Sequence, residues 1–284
     1  MLTRLREEDF SKRLISILAE VSESILEVYD DERSWRTQRK QDNSPVTTAD
    51  LLANCFLKEA LGELLPGVPF LSEEDKPVAY HVRKEWSCCW LVDPLDGTQE
   101  FLQRSGEFSV NVALIANGEP VLGALAVPIS GAVYLGIVEH GATRWRNGEL
   151  TPLPPLKSCR NKPILAMSRR RDQGGASVFA EALNANPAYW CQGGALKFCA
   201  MAEGAVDVYP RFSPVSEWDV AAGHALLRSL GAQVYADVER PLRYNIRPNL
   251  DDVYFCACSS VESEHTVGLW AQSLREQGVC LTLS

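Results

Sequence analysis

The sequence predicts an α/β protein built as an α+β layered sandwich in two halves. Apolar residues at helical spacing predict one helix near the start of the chain and a capping threonine predicts a second, and a strongly β-patterned region follows at 108–145. Beyond a proline-rich segment at 151–157, candidate strands and helices alternate. We therefore expect a first domain at 1–155, with an antiparallel sheet and paired helices. A second, α/β domain at 156–284 is expected to complete the functional site.

The two N-terminal helices are expected at 8–29 and at 49–65. In the first, apolar residues recur at every third or fourth position, which is typical of an amphipathic helix. A polar stretch at 30–43 predicts a loop or a frayed strand between them. Thr47 or Thr48 is suited to cap the second helix, because a threonine oxygen can accept from the free backbone N–H groups of the first turn.

The middle of the chain is expected to form antiparallel hairpins. Asn117-Gly118 and Ser130-Gly131 favour tight turns between apolar, β-branched stretches. The strands expected in this half are 70–72, 88–92, 110–116, 121–127, 132–138 and 142–145. In the second half the expected strands are 164–167, 206–209 and 233–235, and the expected helices are 177–183, 196–203, 218–230 and 262–277.

The composition is that of an ordinary globular protein, with 46% hydrophobic and 23% charged residues among 284. The net charge of -9 argues against polymeric nucleic acid as a partner, because phosphate backbones bind basic surfaces. It does not argue against a small anion, since bound cations can make a cluster of carboxylates locally positive.

The nine cysteines show no zinc-binding spacing, and no disulfide framework is expected. The N-terminal segment is charged and lacks the apolar core of a signal peptide, and no run of about 18 apolar residues occurs. These features together predict a chain with reduced thiols, in a cytosol and without a transmembrane segment. The sequence does not determine the oligomeric state.

The sequence WLVDPLDGT at 90–98 is the main candidate for chemistry. An apolar strand delivers Asp93 to its end, Asp96 follows three residues later, and Gly97 and Thr98 begin a helix. Backbone N–H groups beside two carboxylates could hold a phosphate. Closely spaced carboxylates are ligands that suit Mg²⁺. Taken alone, this motif is also compatible with an acidic surface turn.

Three further acidic residues stand at the ends of predicted elements. Glu73 lies in LSEED after a short apolar strand, Asp50 ends SPVTTAD, and Asp219 begins the helix of WDVAAG. Asp50 or Asp219 alone could simply complement a helix dipole. The four acidic motifs in this order point to a shared site.

LSEED, WLVDPLDGT and WDVAAG together resemble the inositol monophosphatase superfamily, which includes the fructose-1,6-bisphosphatases. The resemblance spans roughly residues 10–258. Within the superfamily, LKFCAMAEG at 196–204 and VYPRFSP at 208–214 resemble the bacterial 3'(2'),5'-bisphosphate nucleotidases. The fold implied is the inositol monophosphatase/fructose-bisphosphatase-like fold. The location implied is cytoplasmic, either free or peripheral on the cytoplasmic face of the inner membrane.

The activity implied is Mg²⁺-dependent hydrolysis of the 3'-phosphate of adenosine 3',5'-bisphosphate to AMP, linked to sulfate assimilation. The sulfated form of the nucleotide is a second implied substrate. Water would attack in line, assisted by two or three Mg²⁺ ions, with no covalent phosphoenzyme and with inhibition by lithium. An inositol or sugar phosphate phosphatase, and more remotely a non-catalytic nucleotide-binding regulator, are the alternatives.

The resemblance also implies roles for individual residues. Metal ligands would come from four carboxylates and one backbone carbonyl: Glu73, Asp93, Leu95, Asp96 and Asp219. Catalysis would use Glu73 together with Asp50 and Thr98, which would orient the attacking water. Substrate contacts would come from Asp96, Gly97, Thr98, Lys197, Arg211 and Asp219. The two basic residues among them would hold the phosphates of the nucleotide.

Three departures from the bacterial pattern leave substrate preference open. Gly193-Gly194-Ala195 stands where relatives have Gly-Ser-Ser, 168–171 carries an arginine run, and Gln99 replaces a frequent lysine. Two simpler interpretations also stay open for the basic residues. Lys197 could lie on a solvated helix face, and Arg211 could pair with Glu217.

Overall fold

Layers of helices and sheets alternate in the computed structural model, which describes residues 4–5, 7–31, 38–39, 45–157, 160–167, 175–184, 186–190, 193–260 and 263–281. The described helices are α1 (Glu8–Asp30), α2 (Thr48–Leu64), α3 (Tyr80–Arg83), α4 (Thr98–Leu102), α5 (Gly175–Ala182), α6 (Leu196–Ala202), α7 (Glu217–Ser229) and α8 (Glu264–Glu276). The helices whose bounds were predicted from the sequence are confirmed within two residues at either end, α4 begins where Gly97 and Thr98 were expected to begin a helix, and α3 is a short addition.

A seven-stranded sheet forms the first half. Its strands are β3 (Phe70–Ser72), β4 (Cys88–Asp96), β5 (Ser109–Ala116), β6 (Glu119–Val127), β7 (Ala132–Ile137), β8 (Gly141–Arg146) and β9 (Glu149–Leu153), in that spatial order. β3 runs parallel to β4, and all later neighbours are antiparallel. Ahead of it, β1 (Gln38–Arg39) pairs with β2 (Pro45–Val46). The predicted hairpins are confirmed.

Helices α1 and α2 cover one face of this sheet. The apolar stripe of α1 is buried completely at Leu14, Leu18 and Val21, in the same core as Trp90 and Val110 of the sheet. Burial of this stripe drives the packing of the helix, because removing apolar surface from water is the main favourable term in folding. The capping threonine of α2 is Thr47.

Helix α7 crosses the opposite face of the sheet at unusually short range. Gly123 of β6 and Gly136 of β7 are paired across the ladder beneath it. A methyl group at Gly123 would overlap the carbonyl oxygen of Ala222, and one at Gly136 would lie 2.6 Å from the Cα of Leu226. These glycines therefore let the helix backbone approach the sheet backbone.

A six-stranded sheet forms the second half. Its strands are β10 (Ile164–Ala166), β11 (Asn186–Trp190), β12 (Val208–Pro210), β13 (Gln233–Asp237), β14 (Arg240–Pro241) and β15 (Cys256–Cys258), in the spatial order β11-β10-β12-β15-β13-β14. Helices α6 and α7 share a core with its inner face, and α5 and α8 pack on its outer face. The order of layers is thus helices, sheet, helices, sheet, helices.

Several strands were not predicted. β11, β14 and β15 span five, two and three residues. The three residues of β15 are all buried, so this strand lacks the alternation of buried and exposed residues that marks a strand in sequence. β9 extends the first sheet into the proline-rich segment, up to Leu153. The chain leaves that sheet just before 155, and the division into 1–155 and 156–284 stays a prediction.

Some expectations fall on undescribed parts of the chain. The loop or frayed strand expected at 30–43 lies outside the described residues except for 30–31 and the strand at 38–39. The arginine run at 168–171 lies outside them entirely. Among the helices that are described, none is both long enough and apolar enough to span a bilayer.

Candidate active site

Parallel pairing of β3 and β4 brings two predicted acids together. Ser72 is in register with Val92, and the backbone N–H of Glu73 donates to the Val92 carbonyl at 3.2 Å. β4 was expected to end at 92 but continues to Asp96 with an irregular register after Asp93, and its parallel pairing with β3 places Glu73 beside Asp93 where β3 ends. Asp93 is almost completely buried, at 1% exposure, and Leu95 N–H donates to its Oδ1 at 3.0 Å.

The N-terminus of α7 adds a third acid to this edge. Asp219 sits in the first turn, where its Oδ2 accepts the backbone N–H of Ser216 at 2.9 Å. One carboxylate oxygen each from Glu73, Asp93 and Asp219 lies within 4.8 Å of the other two. The structure thus joins residues that are up to 146 positions apart in sequence (219 − 73 = 146) into one acidic cluster.

The electrostatics of the cluster favour a bound cation. Burial raises the pKa of Asp93 well above its usual range, and the charges of Glu73, Asp96 and Asp219 raise it further. Burial, followed by Asp96 and Glu73, raises the pKa of Asp219 in the same way. Several buried carboxylate oxygens at this spacing repel one another unless a positive charge lies between them. The donor set consists of hard oxygens, which fit a divalent cation such as Mg²⁺.

Asp96 lies beside the cluster and is held by the second half of the chain. Its Oδ2 accepts the backbone N–H of Ala195 at 2.6 Å and the side-chain amide of Asn111 at 3.4 Å. Burial raises the pKa of Asp96, while the Ala195 N–H and the charge of Lys197 oppose that rise. Asp96 therefore joins the two halves across the site.

Asp50 and Thr98 are hydrogen-bonded to each other. The Thr98 hydroxyl lies 3.0 Å from Asp50 Oδ1 and 3.4 Å from the Leu95 carbonyl. The other oxygen of Asp50 accepts the Thr47 backbone N–H at 2.8 Å within the capping box of α2. Burial raises the pKa of Asp50, and the hydrogen bonds from Thr47 and Thr98 oppose the rise. Gly97 lies between Asp96 and Thr98 at the start of α4.

Lys197 is not on a solvated helix face. Its side chain is 2% exposed, and its Nζ lies 5.1 Å from the ring centroid of Tyr209 on β12. Its positive charge acts on Asp96. The solvated interpretation is therefore wrong, because α6 is enclosed between the two sheets and buries all seven of its residues.

Arg211 does not pair with Glu217. The Glu217 carboxylate instead accepts the Asn245 backbone N–H at 2.7 Å and lies 3.4 Å from Arg247. Arg211 follows β12, is 8% exposed, and its Nε has no hydrogen-bond partner among the described residues. Its positive charge opposes the raised pKa of Asp219. Arg211 thus faces the acidic cluster from the second half.

Asn111 and the backbone of Ala195 are site groups that the sequence did not reveal. Asn111 could have been suspected, because it interrupts an otherwise apolar stretch in SVNVALIA and every residue of that strand is buried. The Ala195 N–H carries no sequence signal, since any non-proline residue has one.

The family follows from these features together with the comparison of sequences. The sequence profile of the inositol monophosphatase family matches residues 7–254. The chain belongs to this family, as its motifs predicted, and its layered architecture is that of the family's solved structures.

Three bacterial proteins show how similar this chain is to known members of the family. The protein named 3'(2'),5'-bisphosphate nucleotidase CysQ from Salmonella typhimurium is 39% identical over 236 residues, covering 83% of this chain and 94% of that protein. The protein of the same name from Escherichia coli is 40% identical over 225 residues, covering 79% of this chain and 89% of that protein. The crystal structure of CysQ from Bacteroides thetaiotaomicron has a TM-score of 0.75 at 34% identity, covering 91% of this chain and 100% of that one.

Proposed function

We propose that this chain is a Mg²⁺-dependent 3'(2'),5'-bisphosphate nucleotidase that removes the 3'-phosphate of adenosine 3',5'-bisphosphate. The sulfated nucleotide is its second substrate. One observation carries the proposal: two buried cations lie at an acidic cluster that fits divalent cations, with Lys197 acting on Asp96 beside the cluster and Arg211 acting on Asp219 within it. The similarity to proteins named for this activity supports it.

The acidic cluster supplies the place for the metal. Two or three Mg²⁺ ions held by Glu73, Asp93, the Leu95 carbonyl, Asp96 and Asp219 would neutralise the phosphate and assist the attack of water. Three of these carboxylates, on Glu73, Asp93 and Asp219, place oxygens within 4.8 Å of one another, and the raised pKa of Asp93 reflects its burial and the repulsion between these negative charges, which bound cations would relieve.

Asp50 and Thr98 are suited to guide the attacking water. When Thr98 donates its hydroxyl proton to Asp50, the lone pairs of Oγ1 remain free to accept a hydrogen bond from that water. The proton lost by the water then moves to Thr98 Oγ1 as the Thr98 proton moves to Asp50 Oδ1. The new P–O bond forms as the bond to the 3'-oxygen breaks, and that oxygen leaves with a proton taken from solvent.

The second phosphate of the nucleotide needs a separate binding group. The metals serve the phosphate that leaves, so Lys197 and Arg211 are left to hold the 5'-phosphate, and arginine can grip phosphate with two parallel hydrogen bonds. Gly97 and Thr98 would contact the leaving phosphate through their backbone, as the family resemblance implies.

A substrate panel tests the proposal. Phosphate release is measured with adenosine 3',5'-bisphosphate, its sulfated form, inositol 1-phosphate and fructose 1,6-bisphosphate, in Mg²⁺ and in excess EDTA. We expect the highest kcat/KM with adenosine 3',5'-bisphosphate and no turnover in EDTA. Asp219→Asn should lower kcat by orders of magnitude while the fold survives, because it removes charge from the cluster at nearly constant volume. A preference for inositol 1-phosphate, or full activity in EDTA, would refute the proposal.

A further inference from the structure

Two hydrogen-bond donors from different halves of the chain converge on a single oxygen of Asp96. The backbone N–H of Ala195 donates to Oδ2 at 2.6 Å, and the side-chain amide of Asn111 donates to the same oxygen at 3.4 Å. No described residue donates a hydrogen bond to Oδ1. One oxygen of this carboxylate is therefore committed to the protein, and the other remains available to a cation.

Glycine at position 194 is what allows the first of these contacts. Gly194 has a φ of +44°, and an added Cβ would overlap Asp96 Oδ2 and lie 2.7 Å from Asp96 Cγ. The neighbouring Gly193 N–H donates to the Glu107 carboxylate at 3.1 Å. The segment 193–195 is thus seated against carboxylates of the first half, and a Cβ at its centre would require this segment or the Asp96 carboxylate to shift.

The second contact has its own support in the first sheet. Asn111 is 1% exposed on β5, in register with Asp93 of β4. The Ser109 hydroxyl donates to Asn111 Oδ1 at 3.0 Å. That bond fixes the amide so that its NH₂ group, and not its oxygen, faces Asp96. In this buried series of hydrogen bonds, Ser109 therefore donates to Asn111, and Asn111 donates to Asp96.

We propose that Gly194, the Ala195 N–H and Asn111 are positioning groups that hold Asp96 as a one-oxygen metal ligand through Oδ1. This inference rests on the proposed function in one respect, that Asp96 binds metal. Hydrogen-bond partners behind a metal ligand fix its orientation and raise the affinity of the site.

The same contact places a substrate group. Ala195 is followed directly by α6, which carries Lys197. The contact of segment 193–195 with Asp96 therefore fixes the positions of both the metal ligand and the buried lysine. A change at Gly194 should disturb both, whereas a change at Asn111 should disturb the metal ligand alone.

The test is the affinity for Mg²⁺, measured by isothermal titration calorimetry without substrate on the full chain. Gly194→Ala is compared with Gly204→Ala, a matched control. Gly204 also has a positive φ, of +71°, but an added Cβ there would meet no atom of the described residues within 4 Å apart from its chain neighbours. We expect Gly194→Ala to weaken Mg²⁺ binding about 10- to 100-fold and Gly204→Ala to leave it at the wild-type value.

A second variant keeps the test decisive if Gly194→Ala does not fold. Asn111→Leu removes the amide donor at nearly constant volume, and circular dichroism confirms its fold. It should weaken Mg²⁺ binding about tenfold or more. Wild-type affinity in both variants would overturn this inference and leave the proposed function intact, whereas a wild-type protein that binds no Mg²⁺ would overturn both.

Discussion

At the scale of single residues, burial determines what each charged side chain of the site can do. Asp93 and Asp219 have raised pKa values because they are buried next to other carboxylates. Lys197 and Arg211 are buried on the other side of the same site. A surface cation would be screened by water, whereas a buried one acts on its neighbours at low dielectric. Buried cations are thus strong candidates for substrate recognition.

The role of the two cations can be measured with substrates that differ by one phosphate. Lys197→Met and Arg211→Met keep most of the buried volume and remove the charge. Each should lower kcat/KM for adenosine 3',5'-bisphosphate, mainly by raising KM, because a charged hydrogen bond to the 5'-phosphate is lost. The loss corresponds to roughly 1.5–3 kcal/mol of transition-state stabilisation. Hydrolysis of 3'-AMP, which has no 5'-phosphate, should barely change in parallel assays.

Arg146→Met is the control for this pair of variants. Arg146 is an exposed cation on β8, four strands away from β4 in the sheet order. It should leave both substrates unaffected. Equal losses on both substrates in the Lys197 and Arg211 variants would mean that these residues are structural.

At the scale of elements, the position of Asp219 depends on how closely α7 lies against the first sheet. Gly123→Ala should push the helix away, because the new methyl group would overlap the Ala222 carbonyl. We expect a loss of about 1–3 kcal/mol in the free energy of unfolding by urea denaturation, the range found for overpacked cores.

Gly268→Ala in α8 provides the comparison. No atom lies within 4 Å of the position of an added Cβ at Gly268. Alanine is also the better helix former, so this change should stabilise the protein by about 0.5–1 kcal/mol. If Gly123→Ala were equally stabilising, the close approach of α7 would not exist in solution.

The middle of α7 contains a buried histidine that should make stability depend on pH. His224 is fully buried, with ring nitrogens facing Tyr244 Oη and Gln233 Oε1, and burial lowers its pKa from 6.5 to about 3. Below about pH 6.5 the unfolded chain binds a proton here that the folded chain does not bind. Stability from this group is therefore complete above pH 6.5 and is lost progressively as the pH falls toward 3.

His224→Gln removes that proton uptake and keeps a polar side chain. Between about pH 7 and about pH 5, the wild type should lose about 2 kcal/mol more free energy of unfolding than the variant. The difference between the two proteins is the quantity to measure, since the carboxylates of the acidic cluster titrate in both. Parallel pH profiles for the two would show that His224 is not held neutral by the fold.

At the scale of the whole molecule, the site lies where the two sheets meet around α6 and α7. The first half supplies Asp50, Glu73, Asp93 and Asp96. The second half supplies Asp219 on α7 and the two cations. Helix α7 shares one core with both sheets, so its N-terminus is held at the junction. Neither half has both the acidic cluster and the cations.

Many of the helices, hairpins and acidic residues could be predicted from the sequence because each depends on a local pattern of residues. Helical spacing predicted α1, a capping threonine predicted α2, paired turn residues predicted the hairpins, and the DPLDG motif drew attention to Asp93 and Asp96. The acidic residues could be named because each follows an apolar strand or begins a helix. The assignment of metal and substrate roles to them stays a prediction.

The rest depends on contacts between distant segments. Lys197 is buried because α6 is enclosed between two sheets. The hydrogen bond from the Ala195 N–H to Asp96 joins positions that are 99 residues apart. The pairing of Glu217 with Arg247 instead of Arg211 depends on the loop after β14, which brings Arg247 to the first residue of α7. No local pattern encodes such contacts, and short buried strands such as β15 lack an alternating pattern.

The most direct test of the central claim is the identity of the product formed from adenosine 3',5'-bisphosphate. The nucleotide is incubated with the protein and Mg²⁺, and the products are separated by ion-exchange chromatography against standards of 5'-AMP and 3'-AMP. We expect 5'-AMP and one equivalent of phosphate, formed orders of magnitude more slowly by Asp219→Asn. Formation of 3'-AMP, or unchanged nucleotide under conditions where inositol 1-phosphate is hydrolysed, would contradict it.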